Sequence, residues 1–152
     1  MKEVEIFTDG ACKGNPGPGG WGAILIFNGI EKEISGGKSQ TTNNEMELQA
    51  VVEAISLLKE PCSIKVTSDS NYVVKGANEW MEGWSIKGWK STTGLVKNLE
   101  LWKRLYDLKI FLQMLKDTKL DVSLFEVDPT FTTYTKKTLS SNGTVAPGTP
   151  CN

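Results

Sequence analysis

The order of the hydrophobic patterns in the first half of the chain constrains its fold more than any other feature. A period-two pattern over residues 3–8 predicts a first strand that ends at Asp9-Gly10. The apolar run over residues 21–27 predicts a second strand. Asn28-Gly29 follows as a strong hairpin signal and leads into a third strand over residues 30–35. The chain is therefore predicted to open with three antiparallel strands.

A helix and a fourth strand come next. Thr42 and Glu45 form a capping box, and apolar residues at helical spacing predict a helix over residues 43–59 that ends before Pro61. Residues 63–68 predict a further strand. Because a strand–helix–strand unit favours a right-handed crossover, we expect the fourth strand to lie parallel to the first.

The second half of the chain contains weaker patterns. Residues 70–84 are predicted to be helical with a break near Gly76, and residues 95–115 to form a longer helix. Alternating apolar residues over 120–124 favour a fifth strand.

The length of 152 residues predicts one domain, which we place over residues 1–128. Residues 129–152 contain no acidic residue and seven threonines, and they show no helical period. This composition predicts an irregular, disordered tail.

The composition excludes several classes of site. The chain has no histidine, which excludes serine–histidine triads, histidine-ligated zinc and an imidazole general base. Its three cysteines, Cys12, Cys62 and Cys151, are widely spaced, which favours a reducing cytoplasm over a disulfide framework or zinc site. No signal-peptide pattern and no run of 18 apolar residues occurs, so we expect no membrane contact.

Charge is distributed unevenly along the chain. Residues 1–74 have 6 basic and 10 acidic side chains, whereas residues 75–104 have 6 basic and 3 acidic ones. Such asymmetry fits a metal site beside a polyanion-binding surface, and it equally fits charges that only solvate the surface.

Three acidic residues stand out by position. Asp9 and Asp69 end two strands that we expect to be neighbours, and Glu47 lies one turn into the intervening helix. Three converging carboxylates are stable chiefly around a divalent cation, and oxygen ligands favour Mg²⁺ or Mn²⁺. Taken singly, each also fits an ordinary role: a strand-ending turn for the two aspartates, and a helix-dipole partner for Glu47.

The glycine-rich loop contains a G-x-G-x-x-G pattern over residues 17–22. A dinucleotide site requires this pattern to open a helix, but here a strand follows, so we reject that site. The loop instead favours a backbone surface against a partner. Asn15 and the polar residues 41–44 add amides and hydroxyls that suit a sugar-phosphate backbone.

Residues 75–104 interleave six basic residues with three tryptophans, Trp80, Trp84 and Trp89. This combination suits nucleic-acid binding. Trp80 and Trp84 are also four residues apart, as in a helical core stripe, and we expect both roles.

Together these segments closely resemble ribonuclease H of type 1 over about residues 3–106. The resembling segments are Ile6-Phe7-Thr8-Asp9-Gly10, Gly14-Asn15-Pro16-Gly17-Pro18-Gly19-Gly20, Thr41-Thr42-Asn43-Asn44 with Met46-Glu47-Leu48, Thr67-Ser68-Asp69-Ser70, the three tryptophans, Val96-Lys97-Asn98 and Leu101-Trp102. The resemblance implies an α/β fold with a mixed five-stranded sheet and helices on both faces. It also implies endonucleolytic hydrolysis of the RNA strand of RNA/DNA hybrids by a cytoplasmic monomer that needs no protein partner.

The resemblance further implies the roles of individual residues. Asp9, Glu47 and Asp69 match three of the family's four catalytic, metal-binding carboxylates, with two Mg²⁺ ions as cofactors, Mn²⁺ as a substitute, and 5′-phosphate and 3′-hydroxyl products. The residues implied to bind the hybrid are Asn15, Thr42, Asn43, Asn44, Asn71, Trp80 and Lys87. Among them Thr42 matches a DNA-phosphate site, the asparagines match contacts to the hybrid, and the last two lie in a segment that resembles the family's basic protrusion.

The resemblance fades near Leu108. The family's fourth aspartate would fall close to Thr132, and Asp128 precedes Pro129, so we transfer that role to neither. The alternative hypothesis is therefore a catalytically impaired hybrid-binding module whose fourth carboxylate was lost by C-terminal divergence or a frameshift.

Overall fold

A five-stranded sheet with strand order β3-β2-β1-β4-β7 forms the centre of the computed structural model, which describes residues 2–60, 62–115 and 119–124. Its strands are β1 (Lys2–Cys12), β2 (Gly17–Phe27), β3 (Ile30–Thr41), β4 (Cys62–Ser68) and β7 (Lys119–Leu124). The first three strands pair antiparallel, and β4 lies parallel to both β1 and β7. The predicted mixed sheet, its antiparallel start and its fifth strand are confirmed.

Four α-helices and a small hairpin complete the described residues. They are α1 (Asn43–Ser56), α2 (Asn71–Lys75), α3 (Met81–Ile86), α4 (Leu99–Met114) and the two short strands β5 (Lys90–Ser91) and β6 (Gly94–Leu95). No helix in this described part is long and apolar enough to cross a membrane. The predicted tail over residues 129–152 lies outside the described residues.

The first strands are longer than their sequence pattern predicts. Residues 10–20 were expected to form a loop, but β1 and β2 extend into it, and Ala11 and Cys12 pair with Gly20 and Gly19. A Cβ at Gly19 would lie 2.5 Å from the side chain of Thr41 on β3. Glycine therefore lets three strands approach closely where apolar periodicity has already ended.

Helix α1 ends at Ser56 rather than at residue 59. The N–H groups of Leu57 and Leu58 donate to the carbonyls of Ala54 and Ile55, at 3.2 and 3.0 Å. These bonds span three residues, so the last turn tightens and the helix stops before Pro61 can end it.

The expected break near Gly76 is instead a change of helix type. A π-helical turn over Gly76–Trp80 joins α2 to α3 without interruption. Gly76 is required by packing, since a Cβ there would lie 2.1 Å from the ring of Trp102. The same region contains the β5–β6 hairpin, which the sequence pattern did not predict, and α4 begins at Leu99 rather than at residue 95.

One hydrophobic cluster joins the sheet to all four α-helices. Ile6 and Val66 contribute from adjacent strands, while Leu48 of α1 and Trp102 of α4 contribute fully buried side chains. The predicted packing of helices on the sheet is confirmed, and it anchors the start of α1 against β1.

Candidate active site

Asp9 lies within β1 rather than at its end. The strand continues to Cys12 beside β2, but its pairing with β4 ends where Thr8 meets Ser68. Asp9 is therefore the first residue of β1 beyond the parallel pairing, and it is only 7% exposed. The N–H of Gly10 donates to its Oδ1 at 2.9 Å, which orients the carboxylate.

Glu47 reaches the same place because Gly10 has no side chain. A Cβ at Gly10 would lie 2.5 Å from the carbonyl carbon of Met46 and 2.6 Å from the backbone nitrogen of Glu47. The first turns of α1 thus rest directly on the β1 backbone, one residue from Asp9. The side chain of Glu47 is half-buried.

Asp69 follows β4 at the adjacent strand end. Since Thr8 pairs with Ser68, Asp9 and Asp69 occupy equivalent positions on neighbouring parallel strands, which are about 4.8 Å apart. The N–H of Ser70 donates to Ser68 Oγ at 3.1 Å, and this hydrogen bond stabilises the turn that contains Asp69. Asp9 is buried and Asp69 is exposed, so Asp9 forms the buried floor of the candidate site and Asp69 its exposed rim.

Two oxygen atoms at this edge indicate what it can hold. Asp9 Oδ2 and Glu47 Oε2 are buried and have no hydrogen-bond partner within the described structure, although both residues make other contacts. Buried carboxylate oxygens are costly without a donor or a cation. Among the described residues no three acidic or thiol side chains are already close enough to enclose a metal ion. The donors therefore fit a hard cation at an open, incomplete site.

The structure brings Asn15 and the start of α1 together. The N–H of Asn43 donates to Asn15 Oδ1 at 3.0 Å, and Cys12 Sγ lies 3.5 Å from the same oxygen. Thr42 caps α1 by accepting the N–H of Glu45 at 3.2 Å. Exposed Asn44 follows on the helix, so four of the predicted hybrid-contact residues share one surface.

Asn71 lies close to Asp69 in the chain. It is the exposed first residue of α2, two positions after Asp69. Ser70 caps the helix by accepting the N–H of Val73 at 3.2 Å. The cap fixes the direction in which the chain leaves β4, and with it the position of Asn71.

Trp80 packs against the aromatic core on one side and is partly exposed. Its ring lies 5.7 Å from that of Trp84, which packs at 5.4 Å against the buried Trp102. Trp80 itself remains 38% exposed. The aromatic series therefore begins in the core and ends at the surface.

Lys87 is exposed immediately after α3. Its segment is anchored by Trp89, whose ring packs edge-on against Tyr106 at 5.7 Å and whose carbonyl accepts the N–H of Val96 at 3.1 Å. Lys87 therefore lies in an exposed segment that packs against α4 through Trp89.

Tyr72 is a residue that the sequence interpretation missed. Its hydroxyl accepts hydrogen bonds from Asn98 Nδ2 at 3.1 Å and Trp102 Nε1 at 2.9 Å, and its ring faces Trp80. Tyr72 therefore joins α2 to the start of α4. The signal available was its place directly after Asn71, but a single tyrosine does not identify partners 26 and 30 residues away.

Comparisons with known proteins agree on one family. The family model described as RNase H matches residues 1–115. The chain is 59% identical over 109 residues to a protein named Ribonuclease H from Paracidovorax citrulli, covering 71% of this chain and 73% of that protein. It is 58% identical over 106 residues to Ribonuclease H of Chelativorans sp., covering 69% and 65%. It is 59% identical over 105 residues to Ribonuclease H of Mesorhizobium japonicum, covering 68% and 59%.

Solved structures share the fold. The chain is similar to LC9-RNase H1, a type 1 RNase H with the type 2 active-site motif, with a TM-score of 0.73 and 23% identity over 97% of this chain and 76% of that one. It is also similar to LC11-RNase H1 in complex with an RNA/DNA hybrid, with a TM-score of 0.61 and 21% identity over 80% and 84%. At these identities the likeness shows the architecture alone.

Proposed function

This chain belongs to the RNase H family, and from that premise we propose that it is an endonuclease that hydrolyses the RNA strand of RNA/DNA hybrids. Relatives named Ribonuclease H, 58–59% identical to this chain, support the proposal. The observation that carries it is the carboxylate edge, where the start of α1 rests on the β1 backbone at Gly10, next to Asp9, and Asp69 follows the adjacent strand β4.

Asp9, Glu47 and Asp69 are proposed as the metal-binding and catalytic residues. The buried Asp9 Oδ2 and Glu47 Oε2 would hold a divalent cation from the floor, and the exposed Asp69 carboxylate from the rim. Oxygen donors favour Mg²⁺, with Mn²⁺ as a substitute. When bound, two such ions supply positive charge against the negative charge that develops at the scissile phosphate.

The chain's own residues bind and orient the hybrid in this proposal. The amides of Asn15, Asn43, Asn44 and Asn71 are suited to hydrogen bonds with RNA 2′-hydroxyls and base edges. The Thr42 hydroxyl would receive a DNA phosphate. Trp80 and Lys87 would hold the DNA strand through ring packing and charge.

In the proposed reaction the oxygen of a water molecule bonds to phosphorus and the bond between phosphorus and the 3′ oxygen breaks. The proton that the water loses is balanced by the one that the 3′ oxygen gains, which leaves 5′-phosphate and 3′-hydroxyl ends. The chain has no histidine, so no imidazole takes part. The family match ends at residue 115, and no residue beyond it is assigned here as a fourth carboxylate. That the C-terminal segment diverges from the family stays a prediction.

We also propose that the protein acts as a cytoplasmic monomer. All three proposed carboxylates come from one chain, so the proposal assigns no site residue to a second copy. The wide spacing of the three cysteines favours a reducing compartment over a disulfide framework.

The decisive experiment is cleavage of an end-labelled RNA/DNA hybrid with Mg²⁺ and, separately, with Mn²⁺. We expect cleavage by the wild type and a loss on the order of 100-fold or more for Asp69→Asn, because removing a metal ligand removes charge stabilisation. Asp107→Asn is the matched control, since Asp107 is an exposed carboxylate on α4.

Equal activity of wild type and Asp69→Asn would overturn the assignment of Asp69. A wild type that binds the hybrid without cleaving it would support the alternative, a hybrid-binding module. A wild type that neither binds nor cleaves the hybrid would refute the proposed function.

A further inference from the structure

Glu45 makes a set of contacts that its role in a capping box does not require. Both oxygens of its carboxylate are engaged: Oε1 accepts the hydroxyl of Thr41 at 2.5 Å, and Oε2 accepts Lys38 Nζ at 2.7 Å. Lys38 and Thr41 belong to β3, whereas Glu45 lies in the first turn of α1. The carboxylate therefore ties the end of a strand to the start of the helix.

The hydrogen bonds of Glu45 involve both Thr42 and the residue before it. On one side the backbone N–H of Glu45 donates to Thr42 Oγ1 at 3.2 Å, and on the other the Glu45 carboxylate holds the neighbouring Thr41, which is buried. Since the Thr42 oxygen already accepts a hydrogen bond from the helix, its hydroxyl hydrogen can be donated outward. A phosphate oxygen is a suitable acceptor for it.

The contact between Glu45 and Lys38 is an ion pair as well as a hydrogen bond, with Oε2 and Nζ 2.7 Å apart. A hydrogen bond between charged groups is stronger than one between neutral groups, so this contact helps to hold the first turn of α1 against β3.

We propose that Glu45 is a positioning residue that holds residues 41–44 in the geometry needed to bind the hybrid. This inference rests on the proposed function. Glu45 does not touch the substrate in this proposal; it acts through Thr42 and the asparagines that follow. Its loss should therefore affect substrate binding rather than the chemical step.

Simple electrostatics predicts the opposite result, which makes the inference testable. A nucleic-acid hybrid is a polyanion, so removing a negative charge near its binding surface should tighten binding and lower KM. If Glu45 positions Thr42, removing its carboxylate charge should instead raise KM. The sign of the change in KM thus separates the two roles.

Glu53 provides a matched control on the same helix. Its Oε1 accepts Arg104 Nη1 at 3.2 Å and Gln49 Nε2 at 2.6 Å, so it too is a partly buried, ion-paired glutamate with two donors. It lies more than two helical turns beyond Glu45, away from residues 41–44. Glu53→Gln removes the same charge and a similar ion pair without loosening the proposed binding segment.

The experiment measures KM and kcat for hybrid cleavage, together with urea unfolding, for Glu45→Gln, Glu45→Ala and Glu53→Gln. For Glu45→Gln we expect KM to rise roughly three- to tenfold with kcat within about twofold, as for a loss of uniform binding. Glu45→Ala should raise KM further, because it also removes the acceptor of Thr41. Glu53→Gln should leave KM within about twofold of the wild type while showing a similar loss of stability.

Equal or lower KM for Glu45→Gln, with the wild type active, would refute the positioning role and leave the proposed function intact. If the wild type binds the hybrid without cleaving it, dissociation constants replace KM in the same comparison. An equal or lower dissociation constant for Glu45→Gln would then refute the positioning role. A wild type without hybrid binding would refute the proposed function and this inference together.

Discussion

Two regions of the molecule position proposed functional residues by different means. At the carboxylate edge, backbone meets backbone: α1 rests on β1 at Gly10, and a single added carbon atom would overlap Met46 and Glu47. In the segment over residues 71–98, side chains do the positioning: the Tyr72 ring packs edge-on against the ring of Trp102 on α4, and Trp102 Nε1–H donates to the Tyr72 hydroxyl. From this comparison we expect a change at Gly10 to reach the proposed catalytic residues, and a change within residues 71–98 to lower stability more than catalysis.

Gly10→Ala should break the first region and has the largest expected effect. The new Cβ would push α1 away from β1 and separate Glu47 from Asp9. We expect a loss of about 1–3 kcal/mol in the free energy of unfolding and a fall in kcat/KM on the order of 100-fold. Urea unfolding and hybrid cleavage are the measurements.

Gly83→Ala is the control for this change, since a Cβ at Gly83 in α3 meets no atom within 4 Å. It should be neutral or slightly stabilising, because alanine favours helix. Full activity of Gly10→Ala would show that the close approach of α1 does not matter to the reaction.

Gly76→Ala tests whether the second region tolerates the same added methyl group. Its Cβ would overlap the fully buried ring of Trp102, so we expect a loss of about 1–3 kcal/mol in stability. Below its unfolding temperature kcat/KM should change less than about threefold, because the carboxylates do not depend on this contact. A collapse of activity as large as that of Gly10→Ala would contradict the proposed distinction.

Tyr72→Phe sharpens the comparison at one hydroxyl. It leaves Trp102 Nε1–H, on a fully buried side chain, without its acceptor. We expect the free energy of unfolding, measured by thermal or urea unfolding, to fall by about 1–2 kcal/mol. Tyr106→Phe is the matched control, because within the described residues the Tyr106 ring packs on Trp89; a similar loss in both variants would assign the effect to tyrosine hydroxyls in general.

The pH dependence of Glu45 is the smallest effect. Burial raises the pKa of Glu45, but the hydrogen bonds from Lys38 and Thr41 and the charge of Lys38 lower it by more, so the folded pKa lies below its ordinary value of 4.5. The contribution of Glu45 to stability is therefore present above that value and lost as the pH falls through the folded pKa. We expect the free energy of unfolding of the wild type to exceed that of Glu45→Gln by about 0.5–1 kcal/mol at pH 7 and by less at pH 3. A difference that stays constant from pH 7 to pH 3 would contradict this account.

Local pattern was sufficient to predict much of the molecule. The alternation over residues 3–8, the turn at Asn28-Gly29 and the capping box at Thr42 predicted three antiparallel strands and the start of α1, and all are present. The parallel pairing of β4 with β1 followed from the strand–helix–strand order. Because neighbouring parallel strands end at one edge, Asp9 and Asp69 could be placed together before the structure was known.

Two of the differences from the sequence prediction have the same physical source. The strand extensions at Gly19 and the π-helical turn at Gly76 depend on contacts between segments distant in sequence. The hairpin after Trp89 has only two residues in each strand, too few to show an alternating pattern. A glycine in a sequence indicates freedom or a turn, but it does not say which backbone or ring will approach it. Periodicity reports only which face of an element is apolar.

By itself, then, the sequence determined the order of strands and helices, the carboxylates at the sheet edge and the family of the chain, since these follow from local periodicity and motif spacing. Only the tertiary structure decided that Gly10 is where α1 meets β1, that Glu45 links β3 to α1, and that Tyr72 joins α2 to α4. Each of these depends on atoms a few ångströms apart in space and up to 37 positions apart in sequence, as for Gly10 and Glu47. Such proximity is a property of the packed chain.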